Sequence, residues 1–186
     1  STATQTLFYC LQVDLAKFVC SSLERISPNS IFPSLCQLKF CGTSLLYALN
    51  QADNSIVSLN ISSPVTINRT WNLFPDRVVT YAINSQRDLF AVQLESKTIC
   101  IYSTNSNDNP LFRLLKCESK CKILEFIPET RLLFACMPNN AFSIYDMDKG
   151  GYSDWSSRNP SENFPAYWTN SGYKIQGIVF PKKSKH

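Results

Sequence analysis

Few residues in this chain can do covalent or metal chemistry, and their placement is informative. The only histidine is His186, the last residue. A nucleophile–imidazole–carboxylate arrangement needs a histidine held by a third group, and mixed zinc sites need histidines at fixed spacing. Neither is expected around His186, where the backbone is least constrained. The eight cysteines are Cys10, Cys20, Cys36, Cys41, Cys100, Cys117, Cys121 and Cys136. Most lie in apolar stretches such as Thr98–Tyr102 and Leu132–Cys136, where a thiol behaves as a small hydrophobe. The expectation is free, buried thiols in a reducing compartment. Cys117 and Cys121 are separated by three residues rather than the two of common metal knuckles, and no second pair follows, so no metal is expected. The five glycines, Gly42, Gly150, Gly151, Gly172 and Gly177, form no phosphate-cradling loop. No spacing singles out two carboxylates as an acid–base pair. A non-catalytic protein without a cofactor is expected.

The elements that would position such residues follow from composition and pattern. The chain has 186 residues, 44% hydrophobic, 12% aromatic and 17% charged, enough apolar surface to offset the entropy of ordering. No apolar run reaches membrane-spanning length, and Ser1–Cys10 has no basic region ahead of an apolar core, so a soluble chain without a signal peptide is expected. Net charge is +4, from 18 basic and 14 acidic residues; without Lys182, Lys183 and Lys185 the balance is 15 to 14. The basicity is mainly a tail. That tail is either a solvated loop or a segment that touches phosphates or serves as a nuclear address. Asn60-Ile61-Ser62 and Asn68-Arg69-Thr70 match glycosylation acceptors, but nothing else in the chain indicates secretion.

Short segments rich in Val, Ile, Leu, Phe and Tyr alternate with Asn, Ser, Asp and Pro clusters, which predicts many short strands. They repeat. Leu46-Tyr47-Ala48 stands 43 positions before Leu89-Phe90-Ala91, and Leu133-Phe134-Ala135 follows 44 later. Downstream, Ile56–Asn60, Ile99–Ser103 and Phe142–Asp146 recur at 43-residue offsets. Upstream, Leu38-Lys39-Phe40, Val79–Ile83 and Leu124-Glu125-Phe126 supply a preceding strand. The unit is strand, turn, strand, turn, strand and a variable segment able to hold a fourth strand. Small sheets that are apolar on both faces must stack on neighbours, so the pattern predicts an all-β, WD-repeat-like β-propeller. A β-sandwich also yields short strands, but gives no reason for one triplet to recur at this period. Blades are expected near 35–76, 77–120 and 121–170, with a further blade starting over 173–181, all within one propeller domain. Asn109-Pro110 ahead of Leu111, Leu114 and Leu115 resembles a helix start, yet the repeat makes Leu111–Leu115 an outer strand. A length of 186 residues holds about four such units, so an incomplete ring belonging to a longer protein is expected.

The usual WD-repeat markers are degraded: no blade has a Gly-His pair, and the terminal Trp-Asp position holds Tyr145-Asp146, Tyr102-Ser103 or Leu59-Asn60. The segment Asp148–Asn159, leading through Pro160, Phe164-Pro165 and Trp168 to Ile175–Phe180, resembles the C-terminal propeller of the cirhin family. Trp155-Ser156, Arg158-Asn159 and Phe164-Pro165 answer to that family's aromatic-rich Trp-Ser-basic-x-Asn element and its following step. Ser157 intervenes before Arg158, and Phe164 stands where leucine is usual. The resemblance implies a scaffold associated with the U-three small nucleolar RNA in the nucleolar small-subunit processome. It also implies neighbouring propeller and helical-repeat assembly factors, with pre-ribosomal RNA close by. Candidate interaction residues are Trp155, Arg158, Trp168, Lys182, Lys183 and Lys185. The two tryptophans either cover an exposed blade face or anchor a partner. Asn159-Pro160-Ser161-Glu162 predicts one capped helical turn stopped by Pro165. Other readings are a cytosolic propeller adaptor in trafficking or signalling, and an enzyme with its site on a propeller face.

Overall fold

The computed structural model describes residues 8–14, 19–26, 35–41, 44–60, 66–72, 74–86, 88–104 and 111–180. The chain divides into two compact units, residues 1–73 and 74–186.

In the first unit, β1 (Phe8–Asp14) pairs antiparallel with β2 (Val19–Ile26), a hairpin ahead of the first strand that the repeat predicts. β3 (Leu35–Cys41), β4 (Leu45–Asn50), β5 (Ser55–Asn60) and β6 (Thr66–Trp71) then form a four-stranded antiparallel meander. Leu35, Leu46, Ala48, Val57 and Leu59 cluster on one face. On the other, Tyr47 stacks on Trp71 with centroids 6.0 Å apart, and Arg69 lies over the Trp71 ring.

The second unit holds two more meanders of the same order. One contains β7 (Val78–Ile83), β8 (Leu89–Leu94), β9 (Thr98–Ser103) and β10 (Leu111–Lys116). The other contains β11 (Ile123–Phe126), β12 (Leu132–Cys136), β13 (Phe142–Asp146) and the two-residue β14 (Gly151–Tyr152). The repeated triplets fall on β4, β8 and β12, the second strand of each sheet. Covered on both faces, these strands need continuous apolar runs rather than alternation; all six residues of β8 are buried. Leu111–Lys116 is a strand, as the repeat requires, because its backbone ladder to β9 outweighs the local helical spacing.

Each meander turns between its second and third strands on a left-handed residue: Asn54 (φ 56°), Lys97 (φ 64°) and Asn140 (φ 67°). These positions are 43 residues apart, so the repeat is written in backbone conformation as well as in side chains. The equivalent turn bonds recur too, Lys97 N–H to Leu94 C=O at 3.0 Å and Asn140 N–H to Met137 C=O at 3.1 Å.

The two sheets of the second unit pack through Ala82, Leu89, Ala91, Ile99, Ile101, Leu115, Leu124, Phe126, Leu133, Ala135, Tyr145 and Met147. Polar ties cross the same boundary. Arg131 Nη1 meets Asp88 Oδ2 at 3.0 Å, and Arg113 Nε donates to Met147 C=O at 3.1 Å. Gln93, fully buried, donates to Ser119 C=O at 3.1 Å and accepts from Cys121 N–H.

Beyond β14 the chain departs from expectation. The five-residue helix α1 (Asp154–Arg158) was not signalled by apolar periodicity; Ser153 Oγ caps it by accepting from Ser156 N–H at 3.3 Å. Asn159, expected to start a turn, instead ends α1, its backbone N–H and Nδ2 both donating to Trp155 C=O at 2.9 Å. The expected turn ahead of Pro165 is a 3-10 turn over Ser161–Asn163, and a second, unexpected short helix, α2 (Ala166–Thr169), starts directly after Pro165. The strand expected over Ile175–Phe180 is not formed: residues 171–180 have no ladder partner. They lie irregularly against the third meander, where Ile175, Ile178 and Phe180 pack on Ile123, Phe134 and Cys136.

Candidate interaction groove

The outer edge of the third meander explains why a groove forms there. β14 pairs with only Tyr145 and Asp146, so most of β13 lacks a strand on that side. Exposed ladder groups need partners. Ser153 N–H donates to Ile144 C=O at 2.8 Å, and Ile144 N–H donates to Ser156 Oγ at 2.7 Å, so α1 serves the edge that a longer fourth strand would serve. A second substitution lies at the turn. In the second meander the carbonyl of left-handed Lys97 accepts from Cys117 N–H at 3.1 Å; in the third, the carbonyl of Asn140 accepts from the Trp168 indole Nε1–H at 2.9 Å. Asn140 also binds the returning chain, donating through Nδ2 to Tyr173 C=O at 2.8 Å and Trp168 C=O at 3.3 Å and accepting from Ile175 N–H at 3.0 Å.

These bonds position an aromatic array. Trp155 stacks on Phe142, centroids 5.3 Å apart and planes 6° from parallel. Phe164 meets Phe142 edge-on at 5.0 Å, and Phe134 lies 5.1 Å from Phe142 on the inner side. The result is a groove of about 510 Å³ walled by Phe142, Trp155, Phe164, Trp168, Tyr167 and Pro165, with Arg158, Asn159, Asn163 and Pro160 on its rim. Trp155 and Trp168 remain 42% and 39% exposed, and Tyr167 81%. Arg158 is held by its Nε–H bond to Asp154 C=O at 3.1 Å. Beside it, Lys149 Nζ pairs with Asp154 Oδ1 at 2.6 Å, a contact that raises the lysine's pKa and lowers the carboxylate's. No carboxylate, thiol or imidazole lines the groove. It can stack planar groups and prolines and can offer donors from Arg158 and the two asparagines; it holds nothing that could serve as a nucleophile with its base.

Of the residues singled out by sequence, Trp155, Arg158 and Trp168 come together here. Lys182, Lys183 and Lys185 lie outside the described residues. Trp168 does two jobs, satisfying the Asn140 carbonyl while leaving part of its ring in the groove. Tyr167 was missed; its only signal was the Tyr167-Trp168 pair two residues after Pro165. Among the described residues, no three His, Cys, Asp or Glu side chains gather as a metal site would need.

No protein-family model matches the sequence. No curated protein matches it either. Solved structures do. The RRP9 WD40 repeats superpose with a TM-score of 0.52 at 17% identity, covering 65% of this chain and 38% of that one. U3-55K gives 0.53 at 16%, with the same coverage, and Sqt1 of Saccharomyces cerevisiae gives 0.51 at 14%, covering 64% of this chain and 33% of that one. The chain thus spans 33–38% of the length of these structures, and its three four-stranded meanders are those of WD40 propeller blades, forming part of a β-propeller.

Proposed function

We propose that this chain is part of one WD-repeat propeller, with blades over 35–76, 77–120 and 121–170, that works as a non-catalytic scaffold in nucleolar small-subunit processome assembly. The observation that carries the scaffold reading is the aromatic groove at the edge of the third meander. Its tryptophans and prolines are fixed by backbone hydrogen bonds, so a partner meets them without ordering them first. Large amphipathic rings with an arginine at the rim are the residue types that dominate protein interfaces. The ribosome-assembly context rests on the cirhin-like segment around Trp155, Arg158 and Phe164, and it accords with a structural neighbour whose name carries the U3 designation. Partners on this reading are other propeller and helical-repeat assembly factors, with pre-ribosomal RNA nearby. The test is capture from growing cells with the tagged full-length protein, beside a Trp155→Ala/Tyr167→Ala variant. Recovery of pre-ribosomal RNA and assembly factors by the wild type, reduced in the variant, supports the proposal. Recovery of coat or signalling proteins instead replaces it with the cytosolic adaptor reading.

A further inference from the structure

Cys117 and Cys121 lie in the six-residue connection, Cys117–Lys122, that carries the chain from β10 to the third meander. Their Sγ atoms lie 3.7 Å apart in a thiol–thiol hydrogen bond, and the two residues are 8% and 5% exposed. Both ends of the connection are pinned. Cys117 N–H donates to Lys97 C=O at 3.1 Å, and the Tyr145 hydroxyl donates to Lys116 C=O at 3.4 Å. Buried Gln93 holds Ser119 C=O and Cys121 N–H with the two ends of one amide. The spacing that fails as a metal knuckle therefore succeeds in facing two sulfurs at each other.

We propose that Cys117 and Cys121 form an intramolecular disulfide when the chain meets a peroxide, making the connection between neighbouring blades a redox modification site. The sulfurs must close about 1.7 Å to reach a bond of roughly 2.05 Å. The roles are unequal. Hydrogen bonds from the Cys121 thiol and the Ser119 N–H hold the Cys117 thiol below its usual range, against burial and the neighbouring Glu118. Cys121 is raised by its bond to Cys117 and by burial, as Cys100 and Cys136 are raised by burial. The attack is assigned to Cys117, the more exposed of the two residues and the one whose neighbours favour the thiolate. Its sulfur attacks one peroxide oxygen; the S–O bond forms, the O–O bond breaks, and the departing oxygen leaves as water after taking a proton. Cys121 sulfur then attacks the sulfenic sulfur, the S–S bond forms, and the hydroxyl leaves as water with the Cys121 proton. Two thiols lose two electrons, and hydrogen peroxide becomes two waters.

The test treats the folded chain with hydrogen peroxide, blocks free thiols with one maleimide, then reduces and labels with an isotopic partner. Joint switching of Cys117 and Cys121 to the second label is expected, with the peptides on either side of Lys120 joined before reduction and Cys100 and Cys136 unchanged. In Cys121→Ser, whose hydroxyl keeps the hydrogen bond, Cys117 should stop at a sulfenic acid that dimedone traps; in Cys117→Ser, Cys121 should stay reduced. Cys117 driven to sulfinic acid in the wild type with Cys121 still free, or a bond from either residue to Cys136, would overturn the proposal. If the variants do not fold, the wild-type map decides alone.

Discussion

The third meander has two faces built from alternate residues of the same strands, and they are covered in different ways. Leu124, Phe126, Leu133, Ala135 and Tyr145 face the second meander, aliphatic for the most part and sealed by another sheet. Ile123, Phe134, Cys136, Phe142 and Ile144 face a segment without strands, in which Ile175, Ile178 and Phe180 are only partly buried. Sheet against sheet is a rigid, repeated solution. Segment against sheet is a single-use solution, held by Asn140, Ser156 and Trp168, and it leaves aromatic edges open.

If that contrast is real, the two faces should respond differently to truncation. Leu133→Ala, on the sealed face, should lower the stability of the second unit by about 3 kcal/mol in urea titration, since neither sheet can collapse into the cavity. Asn140→Ala should cost about 2 kcal/mol through loss of three bonds to the returning chain and a less tolerant left-handed residue. Its signature would be limited proteolysis accelerated within 165–180 while the strands stay protected. Phe180→Ala should cost about 1 kcal/mol, because the irregular segment can resettle; a loss equal to that of Leu133→Ala would erase the distinction between the faces. Lys97→Asn, matching the residue at the equivalent turns, should raise the melting temperature, with a gain of about 0.5 kcal/mol. The smallest effect is expected for Tyr167→Ala: stability should stay within about 0.5 kcal/mol while partner capture falls. A large stability loss there would reassign the groove to internal packing.

Regularity decided what could be read in advance. The triplets at Leu46, Leu89 and Leu133 located the second strands because burial on both faces demands continuous apolar residues, and the same period overrode the helical look of Leu111–Leu115. The period carried no information past Tyr152. There α1 depends on one serine cap, α2 on a proline start, and the irregular path into Ile175–Phe180 on backbone groups of Tyr173 and Ile175 bound by the Asn140 side chain, all of them single local or tertiary events. The groove was half legible. Trp155 and Trp168 stood out as large rings in an irregular connection and Arg158 by resemblance, but their convergence depends on the early end of β14, which no local pattern announces. Tyr167 has no polar tie of its own to betray it.

The left-handed turns at Asn54, Lys97 and Asn140 carry a consequence for how such a chain can diverge. Adding or deleting one residue in any of these hairpins would turn the next strand inside out, exchanging its inner and outer side chains. Length variation among descendants of this chain should therefore accumulate in the links from one sheet to the next, while the hairpins keep their count even as their residues drift beyond recognition.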